Sequence, residues 1–175
     1  MIGRMLGAAR LSSDTYEEVE RDSSATIQAL LVVIIVAIAN AIGGILNGDT
    51  TLVGGLLFGV IRGIVFWAVW ALLVLLIGTT ILKSKSTEAD WGQLARCTGF
   101  AQTPGILGIL VFIPAVGGLI ALLSFIWQIA AMVVAVRQSL DYTSTWRAFF
   151  VILIAAAIPL IIVIFLGIFF FSLVF

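Results

Sequence analysis

Apolar residues fall into five long runs along the chain, and short polar segments separate these runs. A membrane-spanning helix needs about 20 apolar residues at a rise of about 1.5 Å each, and every run reaches that length. The pattern therefore predicts an all-α, polytopic membrane protein, a bundle of five transmembrane helices that follows a cytoplasmic, amphipathic and then acidic segment at 1–24. The predicted spans are residues 25–46, 52–82, 94–113, 116–136 and 148–171.

The positively charged side chains predict the orientation of this bundle. If five spans alternate, eight Lys and Arg residues lie on the side of the N-terminus, whereas the connections 47–51 and 114–118 contain none. The positive-inside rule then places the N-terminus in the cytoplasm and the C-terminus on the opposite side, with Trp91 and Trp146 as interfacial anchors. The eight residues are Arg4, Arg10, Arg21, Lys83, Lys85, Arg96, Arg137 and Arg147.

One alternative topology gives the same charge pattern. The third and fourth predicted spans together start and finish on one side, so a re-entrant hairpin would leave the charges where they are. Pro104–Gly105 falls within the third span, and a broken helix is tolerated in a membrane where protein buries its backbone. The length of each segment, about 20 residues, favours two full spans.

The amino-acid composition agrees with a location in the membrane and limits the catalytic and metal-binding chemistry that the chain could perform. Apolar residues make up 62% of the chain and charged residues 10%, with a mean hydropathy of +1.26, whereas a soluble domain carries about 25% charged residues. The chain has no histidine and one cysteine, Cys97, so the commonest general base and metal ligand is missing. We therefore expect no catalytic, cofactor or metal site and no enzyme. No basic run indicates a nucleic acid as partner.

Arg62 is the one charged residue within the second predicted span. Counted back from Lys83 at the inner face, it lies 21 residues away, which is about 31 Å along a helix. This distance predicts a position near the outer interface, where a long side chain reaches the head groups.

Small residues predict where helices approach each other closely. Gly55, Gly59 and Gly63 recur every four residues on one helix face, and Ala39 and Gly43 offer a complementary small face on the first span. In lipid such faces let two backbones come together. The stripe predicts either internal helix packing, which is favoured, or self-association between copies.

Neutral polar residues also lie within the predicted spans. They favour hydrogen bonds between helices, and the alternative is a transport site beside a helix broken at Pro104. The residues of this possible intramembrane polar site, with Arg62 and Pro104, are Asn40, Gln102, Thr103, Ser124 and Gln128.

The acidic N-terminal segment predicts a short helix at the membrane surface. Thr15 and Glu18 have the spacing of a capping box, so we expect the helix to begin at Thr15. A solvated helix that partners can reach is favoured over a metal site, which needs several converging ligands. The predicted partner surface comprises Tyr16, Glu17, Glu18, Trp91, Arg96 and Arg137.

Four pieces of sequence, in this order, resemble the Yip1-domain membrane proteins of the prokaryotic kind. The resemblance implies a five-helix membrane domain in the bacterial cytoplasmic membrane with a cytoplasmic N-terminus. Eukaryotic members are linked to vesicle traffic and Rab-type GTPases, but the N-terminal region used there is long, so a Rab-type GTPase is a doubtful partner here. The pieces are Thr15–Val19 with Ala25–Thr26, Trp91–Pro104, Ile113–Gly117 and Trp127–Gln138.

Two functional hypotheses follow from these patterns. The first is a non-enzymatic membrane scaffold or adaptor, or an accessory subunit of a larger complex, which would contact membrane lipids and other membrane proteins or copies of itself. The alternative is a transporter or channel for a small solute, a lipid or an ion, which would use the broken helix near Pro104.

Overall fold

The structure is a computed structural model that describes the backbone of residues 1–174 and the side chains of residues 1–169. Within these residues the secondary structure consists of helices without any strand, which confirms the predicted all-α class. The α-helices are α1 (Ile2–Ala9), α2 (Ser13–Arg21), α3 (Ala25–Asn47), α4 (Gly59–Leu76), α5 (Trp91–Phe100), α6 (Gly117–Ser139) and α7 (Thr145–Val174). Two π-helical turns, Gly54–Phe58 and Ile77–Ile81, extend α4 at its two ends, and Thr103–Leu110 forms a 3-10 helix.

Four of these helical stretches are long and apolar enough to cross a membrane. They are Ala25–Asn47, Gly54–Ile81, Gly117–Ser139 and Thr145–Phe169, with mean hydropathies between 2.5 and 3.3. The chain is therefore an integral, multi-pass membrane protein. These stretches coincide closely with four of the five predicted spans.

The third predicted span differs from the prediction because it is not one continuous helix. It consists of the ten-residue α5 followed by the 3-10 helix that contains Pro104. Proline has no backbone N–H to donate and disfavours α-helical geometry in the residue before it, so the α-helix stops before Pro104 and a tighter helix takes over.

The broken segment nevertheless follows α3 along most of its length and in the same direction. Residue numbers increase along both elements where they are in contact: Gly99 faces Ala29, Gly105 faces Val36, and Gly108 faces Asn40. From Ala29 to Asn40 is about 16 Å of helix. The segment therefore does not turn back at Pro104.

The N-terminal helices and the two polar loops lie together at one end of the bundle, which we call the polar end. Ser86 in the first loop donates to the carbonyl of Asp141 in the second at 2.9 Å. The Tyr142 hydroxyl bonds to the carbonyls of Gly78 and Leu82, each at 2.9 Å. The opposite end, which we call the far end, carries the connections around Gly48 and Ala115.

The buried core is concentrated toward the polar end. Phe100, Leu94 and Val136 are fully buried there, and Trp67 donates its indole N–H to the Ala95 carbonyl at 3.0 Å. In α7 the residues up to Ala155 alternate between buried and exposed, whereas every described residue from Leu160 onward is exposed. Residues 160–169 of α7 therefore face the surroundings on all sides.

Candidate functional site

Helix α2 begins two residues earlier than the capping pattern predicts. Its first residue is Ser13, and the Ser12 hydroxyl caps it by accepting from the Thr15 N–H at 3.3 Å. The predicted capping box on Thr15 and Glu18 is therefore corrected. A reciprocal capping box does occur at the start of α5, between Asp90 and Gln93.

Arg96 fastens the C-terminal end of α2 to the bundle. Its Nε donates to the Val19 carbonyl at 3.1 Å, and its Nη2 donates to the Glu20 carbonyl. Helix carbonyls at a C-terminus carry partial negative charge, so a buried guanidinium is stabilised there. The structure corrects the prediction that Arg96 forms part of a partner surface, because its side chain is buried.

Tyr16 is also buried, not exposed for a partner as predicted. Its ring is fully enclosed, its hydroxyl donates to the Ala8 carbonyl at 3.3 Å, and burial raises its pKa. Val19 lies beside it in the same core. Helix α2 therefore has one face packed against α5 and α6 and one face directed outward.

The outward face of α2 carries the acidic cluster, which we define as Asp14, Glu17, Glu18 and Asp22. Arg4 of α1 bridges two of these carboxylates, at 2.8 Å to Glu18 and 2.7 Å to Asp22. Hydrogen bonds from Ser24 and then from Arg4 lower the pKa of Asp22 to about 2. Asp22 thus stays ionised at neutral pH.

The rest of the acidic cluster is held by weaker contacts. Glu17 accepts from Gln138 of α6 at 3.1 Å and lies 3.5 Å from Arg21. Asp14 is exposed and forms no ion pair among the described residues. Four carboxylates against two guanidinium groups leave this surface negative.

Glu20 is a site residue that the sequence analysis missed. Its side chain is buried between α2 and α5, where Gln93 Nε2 donates to Oε1 at 3.0 Å. Burial, and then the negative charge of Asp141, raise the pKa of Glu20 to about 7. Sequence gives no direct signal for this burial, because Glu20 stands in a run of solvated acidic residues.

The other two residues of the predicted partner surface lie elsewhere at the polar end. Trp91 is partly exposed, and its indole N–H donates to the Ala68 carbonyl at 3.2 Å. Arg137 is half-buried and donates to Thr145 Oγ1 at 3.3 Å.

The neutral polar residues near Pro104 connect helices to each other. Ser124 of α6 donates to the Pro104 carbonyl at 2.8 Å, and Gln128 donates to Ser124 at 3.4 Å. Asn40 of α3 donates to the Gly105 carbonyl at 3.2 Å. Thr103 forms a local bond, in which its hydroxyl donates to the Phe100 carbonyl at 2.6 Å.

A cavity of about 740 Å³ lies on the other side of the broken segment, between α3 and α4, and we call it the α3–α4 cavity. The first π-helical turn forms its wall toward the far end, and Gln102 reaches it from the broken segment. Phe58 and Phe66 contribute its aromatic surface. Its charged lining residue is Arg62.

Arg62 lies next to the middle of α3, and its position near the outer interface stays a prediction. Position 63 faces Ala37, and position 55 faces Ile45. This antiparallel register sets Lys83 about 12 Å beyond the first residue of α3. The second span therefore continues past the first residue of α3 into the polar end.

The glycine stripe packs internally at two of its three positions. A β-carbon at Gly55 would lie 3.0 Å from Thr50, and one at Gly63 would lie 3.2 Å from Ala37. Gly59 has no atom within 4 Å at that position and borders the α3–α4 cavity.

The small face on α3 contacts a different partner from the one predicted. Ala39 is buried, and Gly43 packs against the Gly108 carbonyl of the 3-10 helix rather than against the stripe. The close approach of two backbones occurs, but between the first and third predicted spans.

Comparison with known proteins gives one finding. The model of the Yip1 domain matches residues 10–172, so nearly all the helices described above lie within the match. No curated protein and no solved structure matches the sequence. The chain therefore belongs to the Yip1 domain family.

Proposed function

We propose that this protein is a non-enzymatic membrane scaffold or adaptor that presents the outward face of α2 to other membrane proteins. The observation that carries the proposal is the fixed position of α2. Arg96 holds its C-terminal carbonyls, and Tyr16 and Val19 bury its inner face. A rigid surface binds with less loss of conformational entropy than a flexible segment does.

The proposal includes a five-span topology with the polar end in the cytoplasm of a bacterial cell. The broken segment would be the third span, supported by its parallel course along α3. The far-end connections carry no Lys or Arg, which supports the orientation through the positive-inside rule. A re-entrant segment would turn back before the far end and would leave the far-end part of α3 without contact to the broken segment.

The partner that this surface suits is a basic cytoplasmic segment of another membrane protein, to which the chain would bind as an accessory subunit. Asp14 and Glu17 supply accessible negative charge, and Trp91 supplies an aromatic group at the same end. Charge complementarity of this kind speeds association and selects partners.

The test is affinity purification of the full chain from its native membrane, followed by quantification of co-purifying proteins. We expect a companion in stoichiometric amount that the Asp14→Lys, Glu17→Lys double variant loses. Asp49→Lys is the matched control, because it reverses an exposed charge at the far end. The proposal is contradicted if the chain always purifies without a companion. It is also contradicted if the double variant retains the companion in the same amount as the wild type.

The second candidate function is a conduit, which one observation favours: Gln102 lines the α3–α4 cavity. The packing around Pro104 opposes it, since Ser124 and Gln128 form a hydrogen-bonded chain onto the Pro104 carbonyl. Flux through proteoliposomes that is lost in Gln102→Leu would support the conduit. Flux equal to that of empty liposomes would remove it.

A further inference from the structure

The α3–α4 cavity combines two features that rarely occur together within a membrane span. Its walls are largely apolar or glycine, and one guanidinium, that of Arg62, lies among them. A volume of about 740 Å³ falls within the range of small-molecule and cofactor sites, about 300–1,000 Å³.

No acidic side chain among the described residues supplies a counter-charge for Arg62. All nine acidic side chains belong to the described residues, and none of them forms a salt bridge with Arg62. Eight of the nine lie in the N-terminal segment or the polar loops, and the ninth, Asp49, lies at the far end beyond α3. A charged group within a membrane span is costly unless it is paired or hydrated.

The cavity is shaped for a ligand with one polar and one apolar part. Gln102 adds a side-chain amide to the polar side, and that amide forms no hydrogen bond among the described residues. Phe58 and Phe66 line the cavity and are also exposed on the outer surface of the helix, so the apolar wall continues onto the face that meets lipid.

The π-helical turn Gly54–Phe58 supports the same interpretation. Such turns insert an extra residue into a helix and occur frequently at functional sites. Here the turn and the adjacent Gly59 form the cavity wall, and a β-carbon at Gly59 would meet no atom within 4 Å. The wall is therefore set back from α3.

We propose that the α3–α4 cavity binds the anionic head group of a membrane phospholipid, with Arg62 pairing with the phosphate oxygens and an acyl chain lying against Phe58 and Phe66. Guanidinium binds phosphate through paired N–H donors, which fixes the orientation of the head group. The proposal is independent of the α2 surface, which lies at the polar end and uses other residues.

The test is native mass spectrometry of the full chain in detergent, titrated with phosphatidylglycerol, diacylglycerol or inorganic phosphate. We expect one tightly held phosphatidylglycerol, bound at least about tenfold more tightly than diacylglycerol, which has the same acyl chains but no phosphate, since a charge-assisted pair contributes about one power of ten or more. Arg62→Gln should abolish this preference. Lys85→Gln, which removes an exposed cation at the polar end, should leave it unchanged.

A second variant separates charge from space. Gly59→Leu should fill the cavity and weaken phosphatidylglycerol binding by about tenfold, whereas Gly118→Leu, another glycine with open space around it, should not. Both variants must keep the wild-type melting temperature (Tm) within a few degrees. Binding of inorganic phosphate in place of the lipid would overturn the lipid assignment, and equal retention of both lipids by wild type and Arg62→Gln would overturn the site.

Discussion

The close backbone approach between α3 and the 3-10 helix makes the Gly43→Ala substitution a sharp test of the packing. A β-carbon at Gly43 would lie 2.1 Å from the Gly108 carbonyl oxygen and 3.0 Å from a methyl group of Val111. A carbon–oxygen contact needs about 3.3 Å, so α3 and the 3-10 helix must separate by about 1.2 Å. A carbonyl oxygen cannot rotate away as a side chain can.

The free-energy change follows from two opposing effects. Overpacking of this kind costs about 1–3 kcal/mol, and replacing a helical glycine by alanine returns about 0.5–1 kcal/mol. Separation would also lengthen the bond from Asn40 to the Gly105 carbonyl, now 3.2 Å. We expect a net loss of about 1–2 kcal/mol, and a fall in Tm of about 2–8 °C for a chain of this size.

The assay is thermal unfolding of the purified protein in one detergent, followed by circular dichroism. Gly59→Ala is the matched control, since its new methyl group meets no atom within 4 Å, and its Tm should stay the same or rise slightly. An unchanged Tm in Gly43→Ala, or an equal fall in both variants, would refute the close approach of α3 to the broken segment.

Two further predictions concern the polar end. Arg96→Met removes the donors to the Val19 and Glu20 carbonyls, so the free energy needed to detach α2 from the bundle should fall by about 3 kcal/mol. Trypsin should then cleave after Arg21 faster than in the control Arg10→Met. Equal cleavage rates would contradict the role of Arg96 in holding α2. The Glu20 carboxyl has a pKa of about 7 in the folded chain against an ordinary 4.5, so it binds a proton more tightly when folded and its contribution to stability falls as pH rises from about 4.5 to about 7. Glu20→Gln should therefore raise the Tm by several degrees at pH 8 and change it little at pH 5, and the same increase at both pH values would rule out ionisation as the cause.

The spans could be predicted from the sequence because hydrocarbon imposes a length and an apolar composition that are visible residue by residue. The break in the third span could also be anticipated, since the proline that causes it, Pro104, is visible in the sequence. Its continuation as a 3-10 helix along α3 depends on contacts between Gly43 and Gly108 that no local pattern encodes.

The site residues were harder to predict because burial is a tertiary property. Tyr16 and Arg96 stand in polar segments and were expected to be exposed, yet one fills the core under α2 and the other binds its carbonyls. The depth of Arg62 was counted from Lys83 on the assumption that each helix ends at the membrane surface, whereas the second span continues beyond α3. Its cavity is visible only once α3 and α4 are placed together.

Topology is the claim on which the cytoplasmic surface and the third span both depend. The most direct measurement is labelling of single cysteines in intact cells by a thiol reagent that cannot cross the membrane, with the native Cys97, which is buried, replaced by serine. Asn47→Cys and Val116→Cys, at the far end, should react, and Lys85→Cys and Thr143→Cys should react only after the cells are opened; all four positions are exposed. Reaction of Lys85→Cys and Thr143→Cys from opposite sides would contradict the account.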